Sequence, residues 1–320
     1  MTQEIFISDK IIQKIQKFDS IIFDCDGVLV DIRNSYDNAI NETISTIMDE
    51  LFGDKVSNVV TSKIHFGLKS VGGFNDEVAI VYAIVMTLVA SKKSKIQFEN
   101  LIVDVIDNAN ETGINSIDNY LTSQNIDLTE IKLKLDYENS RKVSYIHKIF
   151  NKLFYGPTLY EEIFNEKSQF SQKPLIDMDD IVLDNALMLK LKNRFGNKIS
   201  TVTGRGKFAF SYSMKNFLNE IDMEHSVFLE DLSLDMAKPN PKSLIESISG
   251  IESKCSLYIG DSMEDLMMVE KCKERGYDVS FCGIYGSSDE PELKYDLFRK
   301  NNASFILESI QELPKALNLV

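Results

Sequence analysis

Long apolar runs are missing from this chain. The longest, Val78 to Ala90, is about 13 residues against the roughly 20 that a bilayer-spanning helix requires, so it reads as a buried helix. Basic residues are also short: 35 Lys and Arg face 49 Asp and Glu, a net charge of −14. With no long basic run to offset it, that balance argues against a nucleic-acid or anionic-membrane surface. A small anionic ligand would need a locally positive pocket, made by a metal, a lysine and helix N-termini. Cysteine is limited to Cys25, Cys255, Cys272 and Cys282, without CxxC spacing and mostly inside apolar runs. These read as buried free thiols in a reducing cytoplasm. His65, His147 and His225 are scattered, and none has metal-ligand spacing to another, although His65 lies near a Gly-Gly segment. There is no internal repeat and no low-complexity stretch. The first residues, Met-Thr-Gln-Glu, lead into a charged helical pattern from Asp9 to Phe18 that has no signal-peptide character.

What is present is an alternation of apolar runs and helical patterns. Ser20 to Asp24 reads as a buried strand ending in an acid, and similar runs recur at Lys198–Thr203, Ser226–Glu230, Cys255–Gly260 and Asp278–Cys282. Between them, Lys207–Glu220, Pro241–Ser249 and Ser262–Arg275 repeat apolar residues at three and four positions, as helices of a parallel α/β sheet do. Ala303–Leu307 and Ser309–Leu319 add a last strand and helix. From about Asp31 to Met188 the period is helical almost throughout, with helices expected at Ser35–Leu51, Asn75–Ala90, Asn139–Phe154 and Asp179–Phe195. Gly53, Gly72-Gly73, Gly113 and Gly156-Pro157 supply the stops. The expected organisation is a discontinuous α/β core, residues 1–31 and 190–320, interrupted by an all-helical insertion at 32–189.

Four short motifs each follow an expected strand. Phe23-Asp24-Cys25-Asp26-Gly27 puts two carboxylates two residues apart, able to point to one side at the end of a strand, where α/β ligands bind; Gly27 lets the chain turn. One such acid can serve as a nucleophile and its neighbour as general acid and base. Two acids so close also call for a cation. Thr201-Val202-Thr203-Gly204-Arg205-Gly206 offers a hydroxyl and backbone N–H groups for a phosphate at a helix N-terminus. Lys238-Pro239-Asn240-Pro241 sets a lysine before a helix, able to neutralise charge between nucleophile and phosphoryl group. Tyr258-Ile259-Gly260-Asp261, with Asp265 four residues on, supplies oxygen ligands suited to Mg²⁺. Taken singly, each also fits an ordinary turn, cap or surface lysine; their fixed order after four strands is far more specific.

In that order the motifs resemble the haloacid dehalogenase-like hydrolase superfamily, over about residues 18–31 and 195–285. The resemblance implies a Rossmann-like parallel-sheet core with a large inserted helical cap of the C1 type, placed just after the first motif, as in subfamily I phosphatases. It implies Asp24 as nucleophile, Asp26 as general acid and base, Thr203 as the phosphate-binding hydroxyl with Gly204 and Arg205 beside it, and Lys238 as the charge-stabilising lysine. Asp261 would be the metal-binding acid and Asp265 a ligand or its supporting partner, with Mg²⁺ held also by Asp24 and by the backbone carbonyl of Asp26. An acid at Asp26 favours phosphoryl chemistry over carbon–halogen cleavage. The implied activity is Mg²⁺-dependent hydrolysis of a small phosphorylated metabolite through an aspartyl-phosphate. Alternatives are a phosphomutase of the same superfamily and a catalytically idle binding module; oligomeric state stays open.

The insertion, roughly 160 residues, exceeds what a small lid needs. Its Ser70-Val-Gly-Gly-Phe-Asn-Asp76 segment could aim a helix N-terminus at substrate through Gly73 and Asn75, or simply cap a helix. Together with Asp26-Gly-Val-Leu-Val-Asp31 and Ser35-Tyr36, it is similar to a little-characterised microbial subgroup, some members of which are associated with histidine-pathway enzymes. Phe150, Phe154, Tyr155, Tyr160 and Phe164 have the spacing of a helix face and read as insertion core.

Overall fold

The computed structural model describes residues 5–74, 76–137 and 144–319. Strands run β1 Phe6–Ile7, β2 Ser20–Phe23, β3 Val30–Asp31, β4 Asp180–Ile181, β5 Ile199–Thr203, β6 Val227–Phe228, β7 Ser256–Gly260, β8 Val279–Ile284 and β9 Phe305–Leu307. The first helices are α1 Asp9–Ile12, α2 Arg33–Phe52, α3 Ser62–Ser70, α4 Glu77–Ser94, α5 Phe98–Asn108, α6 Ile114–Ser123, α7 Thr129–Leu135 and α8 Tyr145–Phe164. There follow α9 Asn185–Phe195, α10 Lys207–Ser213, α11 Lys242–Gly250, α12 Met263–Glu274, α13 Pro291–Lys300 and α14 Leu313–Leu317. The chain divides into two compact units, Met1–Ile32 with Asp179–Val320, and Arg33–Met178.

In the first unit the sheet order is β1-β9-β8-β7-β2-β5-β6. All pairs are parallel except β1 with β9. Both faces are covered, which is why the strands read as continuous apolar runs rather than alternations. Ile21, Phe23, Leu257 and Ile259 lie in one buried cluster, and Ile22 and Tyr258 in the other, as period-two side chains must. The chain winds outward from β2 through β5 to β6 and then returns to β7, β8 and β9. The order therefore reverses beside β2, the position at which open α/β sheets bind ligands.

The unit boundary falls earlier than the sequence suggests, at 178/179 instead of 189/190. Asp179–Phe195 is not one helix: β4 pairs antiparallel with β3, Val30 opposite Ile181, and α9 begins only after Asp184 caps it by accepting from the Leu187 N–H at 2.7 Å. Leu187, Met188 and Leu191 of α9 sit in the core with the sheet, each such burial contributing about 1.5–3 kcal/mol. Other expected helices are shorter: Asp9–Phe18 breaks after Ile12, and α10 stops at Ser213. The pair β3–β4, the edge strand β1 and the helix α13 were not expected.

The second unit is helical. Its α4 is buried from Glu77 to Ala90 and neighbours α2, α5, α6, α7 and α8. The long apolar run is thus the axis of a bundle, and no helix among the described residues is long and apolar enough to cross a membrane. Phe150, Phe154, Tyr155 and Tyr160 are buried, and Tyr36 of α2 packs on Phe154 with ring centroids 4.7 Å apart. Gly156 (φ 64°, ψ 178°), followed by Pro157, leaves the helical conformation, so the expected stop divides α8 into two helical stretches.

Candidate active site

The loops after β2, β5 and β7 leave one edge of the sheet because these strands are adjacent and parallel, with Phe23 level with both Thr201 and Ile259. Asp24 follows β2, Thr203 ends β5 and Asp261 follows β7. The loop after Asp24 is tightly folded: the N–H groups of Val28, Leu29 and Val30 all donate to the Cys25 carbonyl, at 3.1, 2.8 and 3.1 Å. Gly27 has φ +74°, and a Cβ there would meet Asp261 Oδ2 at 2.3 Å, so only glycine brings the two loops this close.

Lys238, from the loop before α11, has a fully buried side chain whose Nζ lies 3.0 Å from Asp24 Oδ1 and 2.7 Å from Asp265 Oδ1. Burial opposes its charge, but the two carboxylates outweigh that and hold it protonated, above the usual lysine range. Asp24 is pushed up to about 8, chiefly by burial; Asp265, Asp261 and Asp26 add repulsion, and Lys238 offsets part of it. A carboxyl with its affinity for the proton raised so far marks a place built for positive charge.

Asp265 is wholly buried at the start of α12. Its Oδ2 accepts from the Asp261 and Ser262 N–H groups, each at 3.1 Å, and from the Ser262 hydroxyl at 2.8 Å, while Tyr258 Oη donates to Oδ1 at 2.8 Å. Burial alone would raise its carboxyl; Lys238, Ser262 and Tyr258 instead hold it below the usual range. With both oxygens engaged, Asp265 anchors Lys238 and the loop that carries Asp261. Asp261 is more open and accepts from Lys294 Nζ of α13 at 2.6 Å. Asp24, Asp261 and Asp265 each present a carboxylate oxygen within 4.8 Å of the others. This all-oxygen donor set, with the repulsion it stores, fits a hard divalent cation such as Mg²⁺.

Around the second motif the structure departs from expectation. Thr203 is buried and its hydroxyl accepts from the Arg205 N–H at 3.2 Å, while Gly204 is exposed. The N-terminus of α10 is already occupied: the Gly206 N–H donates to Glu230 Oε2 at 2.9 Å and the Lys207 N–H to Asp231 Oδ2 at 2.8 Å. Those carboxylates take the dipole end expected to hold phosphate, leaving Thr203 and Gly204 as the candidate contacts. Arg205 points inward, its side chain 1% exposed, with Nε 2.7 Å from Asp26 Oδ1 and Nη1 donating to Asp179 Oδ2 at 2.6 Å.

In the helical unit, Gly73 packs backbone to backbone: a Cβ would meet Asn110 O at 2.6 Å and Gly113 N at 2.7 Å. That contact accounts for the glycine without a ligand. Asp76 caps α4, accepting from the Val78 N–H at 3.0 Å, and Asn75 lies outside the described residues. His65 lies 3.8 Å from Asp37, His147 is buried beside Ser144, and His225 pairs with Asp222 at 2.9 Å. Sequence reasoning missed Tyr258, Asp179 and Lys294. Tyr258 stands in the fourth motif itself, two residues before Gly260; the other two carry no local signal.

No protein-family model matches the chain, and no curated protein sequence matches it. Solved structures do. The phosphatase Tt82 from Thermococcus thioreducens is 22% identical, with a TM-score of 0.57 over 87% of this chain and 98% of that one. A protein described as a haloacid dehalogenase-like hydrolase, from Bacteroides fragilis, is 14% identical, with a TM-score of 0.50 over 92% of this chain and 99% of that one. At these identities what is shared is the fold.

Proposed function

We propose that this chain, which has the haloacid dehalogenase-like fold, is a Mg²⁺-dependent phosphatase that hydrolyses a small phosphorylated metabolite through an aspartyl-phosphate on Asp24. The observation that carries the proposal is the meeting of Asp24, Asp261 and Asp265 at the carboxyl edge of the central strands, with the buried Lys238 ammonium paired to Asp24 and Asp265.

Asp24 would attack phosphorus in line as the bond from phosphorus to the leaving oxygen breaks, and Asp26 would deliver its proton to that oxygen. Asp26 would next take a proton from water, whose oxygen attacks the phosphoryl group and frees Asp24. Lys238, fixed by Asp265, keeps positive charge beside the nucleophile throughout and needs no rearrangement as the phosphoryl group arrives. Thr203 and the Gly204 N–H would hold a phosphoryl oxygen. Asp24 and Asp261 would bind the cation together with the Asp26 carbonyl, and when bound it supplies charge neutralisation to phosphate and nucleophile. The helical unit, inserted in sequence nine residues after Asp24, is where we place selection of the leaving group. Four buried free thiols suit a reducing compartment, and we assign the protein to the cytoplasm.

The test is phosphate release from a panel of phosphorylated metabolites and p-nitrophenyl phosphate, with Mg²⁺ and with EDTA, beside Asp24→Asn. Release that needs both the metal and Asp24 supports the proposal. A wild-type rate in Asp24→Asn would overturn it, and an isomerised sugar phosphate appearing without release would replace it with a mutase.

A further inference from the structure

The guanidinium of Arg205 is anchored at the side of the site. Nε lies 2.7 Å from Asp26 Oδ1, Nη1 donates to Asp179 Oδ2 at 2.6 Å and to Ser213 Oγ at 2.8 Å, and Ser213 Oγ donates to Asp179 Oδ2 at 2.8 Å. Arg205 and Asp179 side chains are 1% and 4% exposed, whereas that of Asp26 is 23% exposed. A cation so buried is costly unless it is paired; Asp179 supplies a hydrogen-bonded pair and Asp26 a second negative charge in ion-pair contact. The three residues come from separate parts of the chain: the loop after β2, the loop after β5, and the entry to β4. The planar fork of an arginine, held at its Nη1 end, fixes where Nε stands beside Asp26; a flexible ammonium would not be held there.

We propose that Arg205 is a positioning residue for Asp26: Asp179 and Ser213 lock the guanidinium, and its charge, in ion-pair contact through Nε, holds in place the carboxyl that exchanges protons with the leaving oxygen and with water. This rests on the phosphatase reading above, in which Asp26 is the general acid and base. Arg205 then acts on proton delivery and not on phosphate binding. In the first step the bond from phosphorus to the leaving oxygen breaks, a bond from Asp24 to phosphorus forms, and the Asp26 proton moves to the departing oxygen. In the second step water gives a proton to Asp26, its oxygen bonds to phosphorus, and the bond to Asp24 breaks.

Leaving groups separate these roles. p-Nitrophenolate departs as a stable anion and needs little proton delivery, whereas an alkoxide from an alkyl phosphate must be protonated as it leaves. The experiment is rapid-quench measurement, with Mg²⁺, of the first-turnover release of p-nitrophenolate and of the alcohol from an alkyl phosphate that wild type cleaves. Wild type is compared with Arg205→Met, Arg205→Lys and Asp179→Asn. General acid catalysis contributes about 10²–10⁴-fold, so Arg205→Met is expected to slow alcohol release by about 100-fold and p-nitrophenolate release by well under 10-fold. Asp179→Asn should show the same discrimination more weakly. Arg205→Lys should recover little, because it keeps the charge without the fork.

Equal losses on both esters, or a loss confined to KM, would overturn the positioning role and return Arg205 to substrate binding. Full recovery by Lys would overturn the orientation argument. Absence of first-turnover release from wild type with every ester would overturn the phosphatase reading and this inference together. Should Arg205→Met fail to fold, judged by circular dichroism, Asp179→Asn and Arg205→Lys decide the matter on the same ratio.

Discussion

Replacing Asp24 by Asn should stabilise the metal-free protein, and increasingly so as pH rises. The side chain is 7% exposed and stands among Asp26, Asp261 and Asp265 with Lys238 as its counter-charge. Burial, first, and those acids raise its carboxyl from the usual value near 4 to about 8. An acid whose affinity for the proton is raised on folding contributes stability that is complete below about pH 4. That stability is lost as pH climbs through about 8. Each pH unit in between removes about 1.4 kcal/mol, so the full span is worth up to roughly 5 kcal/mol. Asn has no proton to lose. The advantage of Asp24→Asn over wild type, measured by thermal unfolding in EDTA, should therefore grow between pH 5 and pH 8 by up to about 4 kcal/mol. At about 2–4 °C per kcal/mol for a large domain, that is a widening of roughly 8 °C or more. A difference in melting temperature that stays constant across this range would refute the reasoning, since it would mean that Asp24 does not carry the buried charge conflict. Turnover of phosphate esters should be lost in the same variant.

Three further outcomes are expected. Lys238→Met leaves Asp24 and Asp265 without their shared cation; breaking a buried pair in this way costs about 3–5 kcal/mol, which denaturant unfolding should register along with loss of phosphate release. Lys294→Met frees Asp261 from the ion pair that a divalent cation must displace, so isothermal titration with Mg²⁺ or Mn²⁺ should show several-fold tighter binding; weaker binding would assign Lys294 a supporting role instead. Gly73→Ala drives a Cβ into the Asn110–Gly113 backbone and should destabilise by about 1–3 kcal/mol in a melt of the whole protein; an unchanged melting temperature with a raised KM would restore a ligand role to Gly73.

Much of this site is legible in the sequence. Asp24 and Asp261 each end an apolar run close to a glycine, and such runs record burial on both faces of a parallel sheet, which is a local property; Lys238 stands beside a proline before a helix, and Asp265 four residues after Asp261. The same signals located β2, β5, β7 and β8 to within a residue or two. They failed at β3 and β4, two-residue strands whose only reason to be extended is each other, and at α10, where a helical period continued past the point at which the chain turns toward β6.

Partner choice was the part that sequence did not carry. Thr203-Gly204-Arg205 read as a phosphate cradle, yet Arg205 turns to Asp26 and Asp179, and the α10 N-terminus is taken by Glu230 and Asp231. Lys294 carries no motif, but α13 brings it to Asp261, 33 residues away. By itself, then, the sequence determined the parallel α/β core, the helical insertion and the order of the four motifs, because apolar period and turn residues act over a few neighbours. Which cation meets which carboxylate was decided by the tertiary structure, since ion pairs form between whichever charged groups the packed strands leave a few ångströms apart, at separations along the chain that no local pattern records.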